Sequence, residues 1–242
     1  MKKGEVLYRG KAKSLYRTGD PGVLLVEFRD DITAFDGQKK DILSSKGRLN
    51  AQVSAFLFRL LERNGIATHF IDMPGESHML VKALDMIPLE VIVRNIAAGS
   101  MVRQYPFKEG TVLEPPVIVI DYKDDSRHDP MLNDDLIIAL GILTPGDLAK
   151  IKEMALRVNS LLREFFASLG ITLVDFKIEF GRTPDGKILL GDEISMDSMR
   201  LWDMSTGKSL DKDVYRFSKG DVMEAYNRVA ERVCAEEKEV CK

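Results

Sequence analysis

Between Leu173 and Arg200, in the run LVDFKIEFGRTPDGKILLGDEISMDSMR, the charged residues Asp175, Lys177 and Glu179 alternate with Val174, Phe176, Ile178 and Phe180. Strand side chains repeat every second residue, so the two acids and the lysine share one face and the apolar residues the other. Arg182-Thr183-Pro184-Asp185-Gly186-Lys187 carries turn chemistry, and Ile188 to Asp192 reads as the returning strand of a hairpin. A turn centred between Asp185 and Gly186 predicts that Glu179 faces Asp192. Opposed carboxylates about 5 Å apart repel unless a cation separates them. Hard oxygen donors suit Mg²⁺, which takes one or two carboxylates and completes its shell with water and substrate phosphate. The polar cluster continues through Glu193, Ser195, Asp197, Ser198 and Arg200. A salt-bridge network neutralised by Lys177 on a solvated face is the competing explanation. Half-burying unpaired ions beside so much Val, Ile, Leu and Phe costs several kcal/mol per charge, which weighs against it.

Two further constellations could bind anions. In Arg9-Gly10-Lys11-Ala12-Lys13, glycine permits a tight backbone and the two lysines point the same way if the segment is extended, as in a phosphate clamp over a nucleotide. A basic hairpin tip explains the same residues, and neither a Walker A sequence nor GxGxxG occurs in the chain. In Val91 to Ser100, Arg94 at a strand end and Gly99-Ser100 at a helix start would receive a phosphate, with Arg200 able to close the clamp. An arginine capping a neighbouring helix is the plainer alternative. Ala34-Phe35-Asp36-Gly37 and Arg127-His128-Asp129-Pro130 are loop signatures that turn formation alone accounts for.

The elements that must position these groups are legible in outline. Period-two alternation predicts strands at Glu5 to Arg9, Ser14 to Arg17, Val23 to Arg29 and Met79 to Leu84, making an antiparallel sheet. A helix runs from Lys46 to Asn64 with Gly65 closing it. Lys82 to Pro88 marks a lobe boundary before a strand at Leu89 to Asn95. A long loop containing Pro106, Gly110, Pro115, Pro116 and Lys123 to Pro130 follows and could cover a site. Thr144-Pro145-Gly146-Asp147 starts a helix that Gly170 ends, and Ser218 with Asp221 caps a last helix whose tail beyond Ala235 should fray. The boundary divides the chain into an expected antiparallel lobe over residues 1–85 and a larger remainder over 86–242 that mixes helices and strands.

Composition excludes several classes. With 242 residues, 45% hydrophobic and 30% charged, the chain is long enough to bury a core and is no disordered segment. A net charge of −3 argues against a mainly electrostatic nucleic-acid binder. Lys2 and Lys3 precede no apolar stretch and Leu136 to Leu143 is too short to span a bilayer, so no membrane role and a cytoplasmic setting are expected. Cys234 and Cys241 lack metal-ligand spacing, which disfavours zinc and a disulfide framework.

The segments RGKAKSLY at Arg9, VIVRNIAAGS at Val91, RHDPM at Arg127, LVDFKIEFG at Leu173 and LGDEIS with DSMRLWD from Leu190 resemble, in order, the phosphoribosylaminoimidazole-succinocarboxamide synthase family of purine biosynthesis. Met196 stands where that family usually has proline. The resemblance implies an α+β fold of two lobes, an N-terminal antiparallel one and a larger mixed α/β C-terminal one, holding ATP between them as protein kinases do. It also implies joining of L-aspartate to a carboxylated aminoimidazole ribonucleotide, with ADP and phosphate released, through an acyl phosphate. On that basis Gly10, Lys11, Ala12 and Lys13 would hold the ATP phosphates, and Lys82, Ala83 and Leu84 would meet adenine. Glu179 and Asp192 would carry Mg²⁺, and Asp175 and Lys177 would face the reacting carboxylate. Arg94, Ser100 and Arg200 would grip the ribonucleotide, with Asp36 and Asp129, and Lys39 beside them, in loops able to reach L-aspartate. A homodimer is expected. A Mg-ATP-dependent kinase acting on a phosphorylated small molecule is the alternative, and a non-catalytic nucleotide-binding module a third.

Overall fold

The computed structural model describes residues 3–35 and 37–240, so Asp36 and Cys241 lie outside the described residues. Strands β1 (Val6–Arg9), β2 (Lys13–Arg17) and β3 (Val23–Phe28) follow the alternation read from the sequence. The short pair β4 (Asp31–Ala34) and β5 (Lys39–Ile42) was not foreseen, because its mostly polar residues carry little alternation. Helix α1 (Lys46–Arg63) ends within a residue of the predicted stop, and Gly65 follows with φ +77°, a left-handed geometry that glycine adopts without strain. Strands β6 (Phe70–Gly75) and β7 (His78–Lys82) complete an antiparallel sheet of order β1-β2-β3-β7-β6. Leu49, Val53, Phe56, Leu57 and Leu61 of α1 are buried, as are Val26, Phe28, Met79 and Val81 of the sheet.

A second sheet holds β8 (Asp85–Met86), β9 (Leu89–Ile96), β10 (Val112–Tyr122), β11 (Met131–Leu132), β12 (Ile171–Arg182), β13 (Ile188–Gly191) and β14 (Met199–Asp203). Its path is β11-β10-β9-β12-β13, and β14 and β8 also pair with β12. The twelve-residue β12 therefore borders four strands. Helices α2 (Ser100–Gln104), α3 (Asp134–Ala139), α4 (Pro145–Ser168), α5 (Asp213–Arg216) and α6 (Val222–Val240) complete the chain. Thr144 Oγ1 accepts from the Asp147 amide at 3.1 Å, the cap its sequence announces. One continuous apolar core runs from Val26 to Val233 through both sheets, α1, α4 and α6. No helix among the described residues is long and apolar enough to cross a membrane.

Four expectations are corrected. The predicted long loop contains the eleven-residue β10, which passes through Pro115 and Pro116 with its register to β9 interrupted between Val112 and Val117. Prolines cannot donate to the ladder, and the irregularity is where they are accommodated. Asp221, not Ser218, caps α6: its Oδ1 accepts from the Met223 amide at 2.8 Å. The helix continues past Ala235 to Val240. In the hairpin, Glu179 pairs with Gly191 rather than Asp192, because the loop is the five residues between Arg182 and Ile188 and so centres on Asp185.

Candidate active site

The site grows from one face of β12. Asp175 pairs with Arg94 on β9 and with Arg200 on β14, so one carboxylate stands in a row between two guanidiniums. Arg94 Nη1 donates to Asp175 Oδ2 at 3.0 Å, and Arg200 Nη1 to Oδ1 and Oδ2 at 3.1 and 2.9 Å. Arg94 Nη2 donates to Ser100 Oγ at 2.9 Å. Arg200 lies against Gly99, where a Cβ would come within 2.4 Å of the guanidinium, so a side chain here would displace Arg200, and the φ of +59° favours glycine as well. The four predicted residues Arg94, Ser100, Asp175 and Arg200 thus meet. Burial pulls the Arg200 pKa down, but Asp175 and Asp213 outweigh it and leave the group more basic than usual. With Arg216 on the second oxygen of Asp213, three guanidiniums face the carboxylates of Asp175 and Asp213, and together with the Ser100 hydroxyl they leave a net positive receptor for an anion.

Two positions along the same face, Lys177 bonds Glu90 Oε1 and lies 3.5 Å from Glu179 Oε1. Lys123 donates to the other oxygen of Glu179, whose carboxylate is buried. Burial opposes the charge on Lys177, yet Glu179 and Glu90 hold its pKa above the ordinary lysine value, so it remains an ammonium. As an ammonium it can neutralise a reacting anion.

Asp192 follows Gly191 with φ +56°, and Lys13 Nζ reaches its Oδ1 at 2.6 Å and Glu193 Oε1 at 2.9 Å. Burial and the Asp192 charge both push the Glu179 pKa up. Burial acts the same way on Asp192, but Lys13, Lys177 and Lys123 overcome it and bring its pKa below the usual carboxylate range. Two carboxylates that sense each other, each now held by lysine, fit a divalent cation with oxygen preference. Among the described residues there is no group of three or more His, Cys, Asp or Glu arranged for a metal.

The loop from Gly10 to Lys13 is built from beneath by Arg29, which donates to Gly10 O at 2.7 Å, Lys11 O at 3.2 Å, Lys13 O at 3.1 Å and Ser14 Oγ at 2.8 Å. Lys11 Nζ pairs with Asp125 Oδ1 at 2.7 Å. Lys82 and Ala83 spend their polar groups on structure: Lys82 donates through its amide to His69 O at 2.7 Å and through Nζ to Thr68 O at 3.0 Å, and the Ala83 amide to Gly22 O at 2.8 Å. Leu84 packs on β12 and β13, where a Cβ at Gly181 would lie 2.7 Å from its own Cβ. Asp129 Oδ1 accepts from the Asp124 amide at 2.8 Å and closes its own loop. Lys39 donates to Tyr215 O at 2.6 Å.

Glu90, Lys123, Arg29, Glu193 and Asp213 were missed as site residues. Glu90 sits four positions before Arg94 on one strand, a period-two signal present in the sequence; Arg29 and Asp213 act on partners far along the chain and leave no such trace.

The SAICAR synthetase family model matches residues 6–233. The chain is 68% identical over 238 residues to the phosphoribosylaminoimidazole-succinocarboxamide synthase of Methanoregula boonei, covering 98% of this chain and 93% of that one. It is 64% identical over 233 residues to the enzyme of that name from Methanoculleus marisnigri, covering 96% of each. Among solved structures, a SAICAR synthetase in complex with ADP superposes with a TM-score of 0.92 at 50% identity, covering 95% of this chain and 97% of that one. The synthase from Ehrlichia chaffeensis gives 0.94 at 43% identity, covering 96% and 99%.

Proposed function

We propose, since this chain belongs to the SAICAR synthetase family, that it joins L-aspartate to 5-amino-1-(5-phosphoribosyl)imidazole-4-carboxylate, an ATP-dependent ligation of purine biosynthesis that releases ADP and phosphate. The observation that carries the assignment is the Arg94-Asp175-Arg200 row, a receptor for a phosphorylated acceptor, beside the Lys177, Glu179 and Asp192 group. The similarity to a synthetase bound to ADP supports a nucleotide site, which we assign to the cleft between residues 1–85 and 86–242. Within it Lys11 and Lys13 take the ATP phosphates, and adenine lies along Lys82 to Leu84.

A carboxylate is a poor electrophile because its own charge and a poor leaving group oppose attack. In the proposed reaction a carboxylate oxygen of the ribonucleotide bonds to the γ-phosphorus of ATP as ADP departs. The amine of L-aspartate then bonds to the acyl carbon, the carbon to phosphate-oxygen bond breaks, and the nitrogen loses its proton. Most of what the protein contributes is positioning and charge neutralisation. Arg94, Ser100 and Arg200 hold the ribonucleotide phosphate, and Asp175 fixes both guanidiniums in their row. Lys177, held as an ammonium by Glu179 and Glu90, faces the reacting carboxylate. Glu179 and Asp192 would hold Mg²⁺, which when bound would neutralise charge on the phosphates being transferred. A homodimer in the cytoplasm is the setting we assign.

Mass analysis of the product tests the assignment. One aspartyl group gained per ADP formed is the expected result, whereas a second phosphate on the ribonucleotide and no amide would identify a kinase.

A further inference from the structure

The ligase assignment leaves the amino-acid substrate without a receptor, and the inference here rests on that assignment. L-aspartate carries two carboxylates, so its site needs cations close to the ribonucleotide and to the nucleotide phosphates. Most cations around β12 are committed to carboxylates of the protein. Lys212 is different: among the described residues no hydrogen bond or ion pair reaches its half-buried ammonium. The charged groups that act on it most strongly are Asp197, Arg216, Lys46 and Glu193.

Each anion of that set is already taken. Asp197 is held by Lys46 at 2.6 Å and accepts from Tyr226 OH at 2.6 Å. Glu193 is held by Lys13 at 2.9 Å and accepts from Ser195 Oγ at 2.6 Å. The acids flanking Lys212 in sequence are occupied too. Asp211 accepts from the Leu201 and Asp213 amides at 2.8 and 2.7 Å, and Asp213 bridges Arg200 and Arg216. An ammonium removed from water without an anion is unfavourable, and burial accordingly depresses the Lys212 pKa. A carboxylate arriving from solution would reverse that.

The location suits the chemistry. Glu193 adjoins Asp192 on the side assigned to the nucleotide, and Asp213, next to Lys212 in the chain, bridges Arg216 and Arg200 on the side assigned to the ribonucleotide. A group bound here lies between the two substrates that react. We infer that Lys212, together with Arg216, receives the carboxylates of the dicarboxylic amino acid that this enzyme joins to its ribonucleotide.

The test compares Lys212→Met with Lys212→Arg. Losing one charged hydrogen bond should raise KM for L-aspartate at least ~10-fold in Lys212→Met, with KM for ATP and for the ribonucleotide within about 2-fold, and Lys212→Arg should recover most of the loss. An unchanged KM for L-aspartate in a folded Lys212→Met variant overturns the inference. Absence of aspartate-dependent ADP release from the unaltered chain would instead overturn the ligase assignment, so the two failures are separable. Should Lys212→Met not fold, the unaltered chain gives the answer through succinate, which carries both carboxylates and no amine. Succinate should protect Lys212 from an amine-reactive reagent, read by peptide mass, and equal labelling with and without it overturns the inference.

Discussion

Lys13 Nζ lies 2.6 Å from Asp192 Oδ1, so the lysine assigned to nucleotide phosphate and the carboxylate assigned to the metal neutralise each other. In the proposed complex a nucleotide with its divalent cation would replace both partners at once, phosphate for Asp192 and cation for Lys13, so that neither buried charge would be left bare.

Asp192→Asn should therefore lower turnover at least ~100-fold by removing a metal carboxylate. Lys13 keeps Glu193 at 2.9 Å, so the folded state should survive with little change in Tm. Steady-state ADP release with a melting curve on one preparation checks this. Severe unfolding with normal turnover per folded molecule would mean that the acids form only a structural ion network.

Arg94 and Ser100 should separate binding from stability. Arg94 is 4% exposed, and its loss leaves Asp175 to Arg200 alone, so Arg94→Ala should destabilise the fold by about 3–5 kcal/mol and raise KM for the ribonucleotide more than KM for ATP. Ser100→Ala removes only a hydroxyl and should raise the same KM about 5- to 10-fold with Tm nearly unchanged. Denaturant midpoints and KM values for both substrates decide the matter, and a ribonucleotide KM unmoved in both variants would dismiss the clamp.

Lys177 should leave no basic limb in the pH profile. Glu179 and Glu90 keep its pKa above the ordinary lysine value, so log kcat should show no break attributable to it between about pH 6 and 9. Lys177→Met should nonetheless lose at least ~100-fold in kcat, because a positive charge beside the acyl carboxylate is gone.

Asp121 gives a signed dependence of stability on pH. Burial and the neighbouring Glu90 push its carboxyl up to about 6, with Asp129 adding to the rise and Arg94 and Lys177 opposing it. The folded chain then holds a proton that the unfolded chain has released, so stability should fall as pH rises from about 4 to about 6, with the full penalty present above that window. No hydrogen bond or ion pair reaches the Asp121 carboxyl among the described residues, and its backbone pairing with Glu90 and Met131 is untouched by Asp121→Asn. The variant should flatten the decline by ~1 kcal/mol after allowance for solvent screening, read from denaturant midpoints at both ends of the window.

Local signals in the sequence were reliable where the cause was local. The shared face of Asp175, Lys177 and Glu179 follows from strand geometry, and Thr144 announces α4 through its own hydroxyl. Arg94 and Arg200 meeting at Asp175, with Ser100 on Arg94, required the order of β9, β12 and β14, which spacing does not contain. The pairing of Glu179 with Gly191 hung on a half-step in the centre of a turn, and β10 was hidden by two prolines that its irregular register absorbs. Lys46 was read as the start of a helix; its buried pairing with Asp197 belongs to tertiary packing and has no signature near either residue.

The central claim is that ATP activates the ribonucleotide carboxylate for amide formation. The most direct measurement supplies the ribonucleotide with ¹⁸O in that carboxylate, together with Mg-ATP and L-aspartate, and follows the label into released phosphate. One ¹⁸O per phosphate, with ADP release dependent on L-aspartate, is the predicted result. Unlabelled phosphate, or ADP release indifferent to L-aspartate, would contradict it.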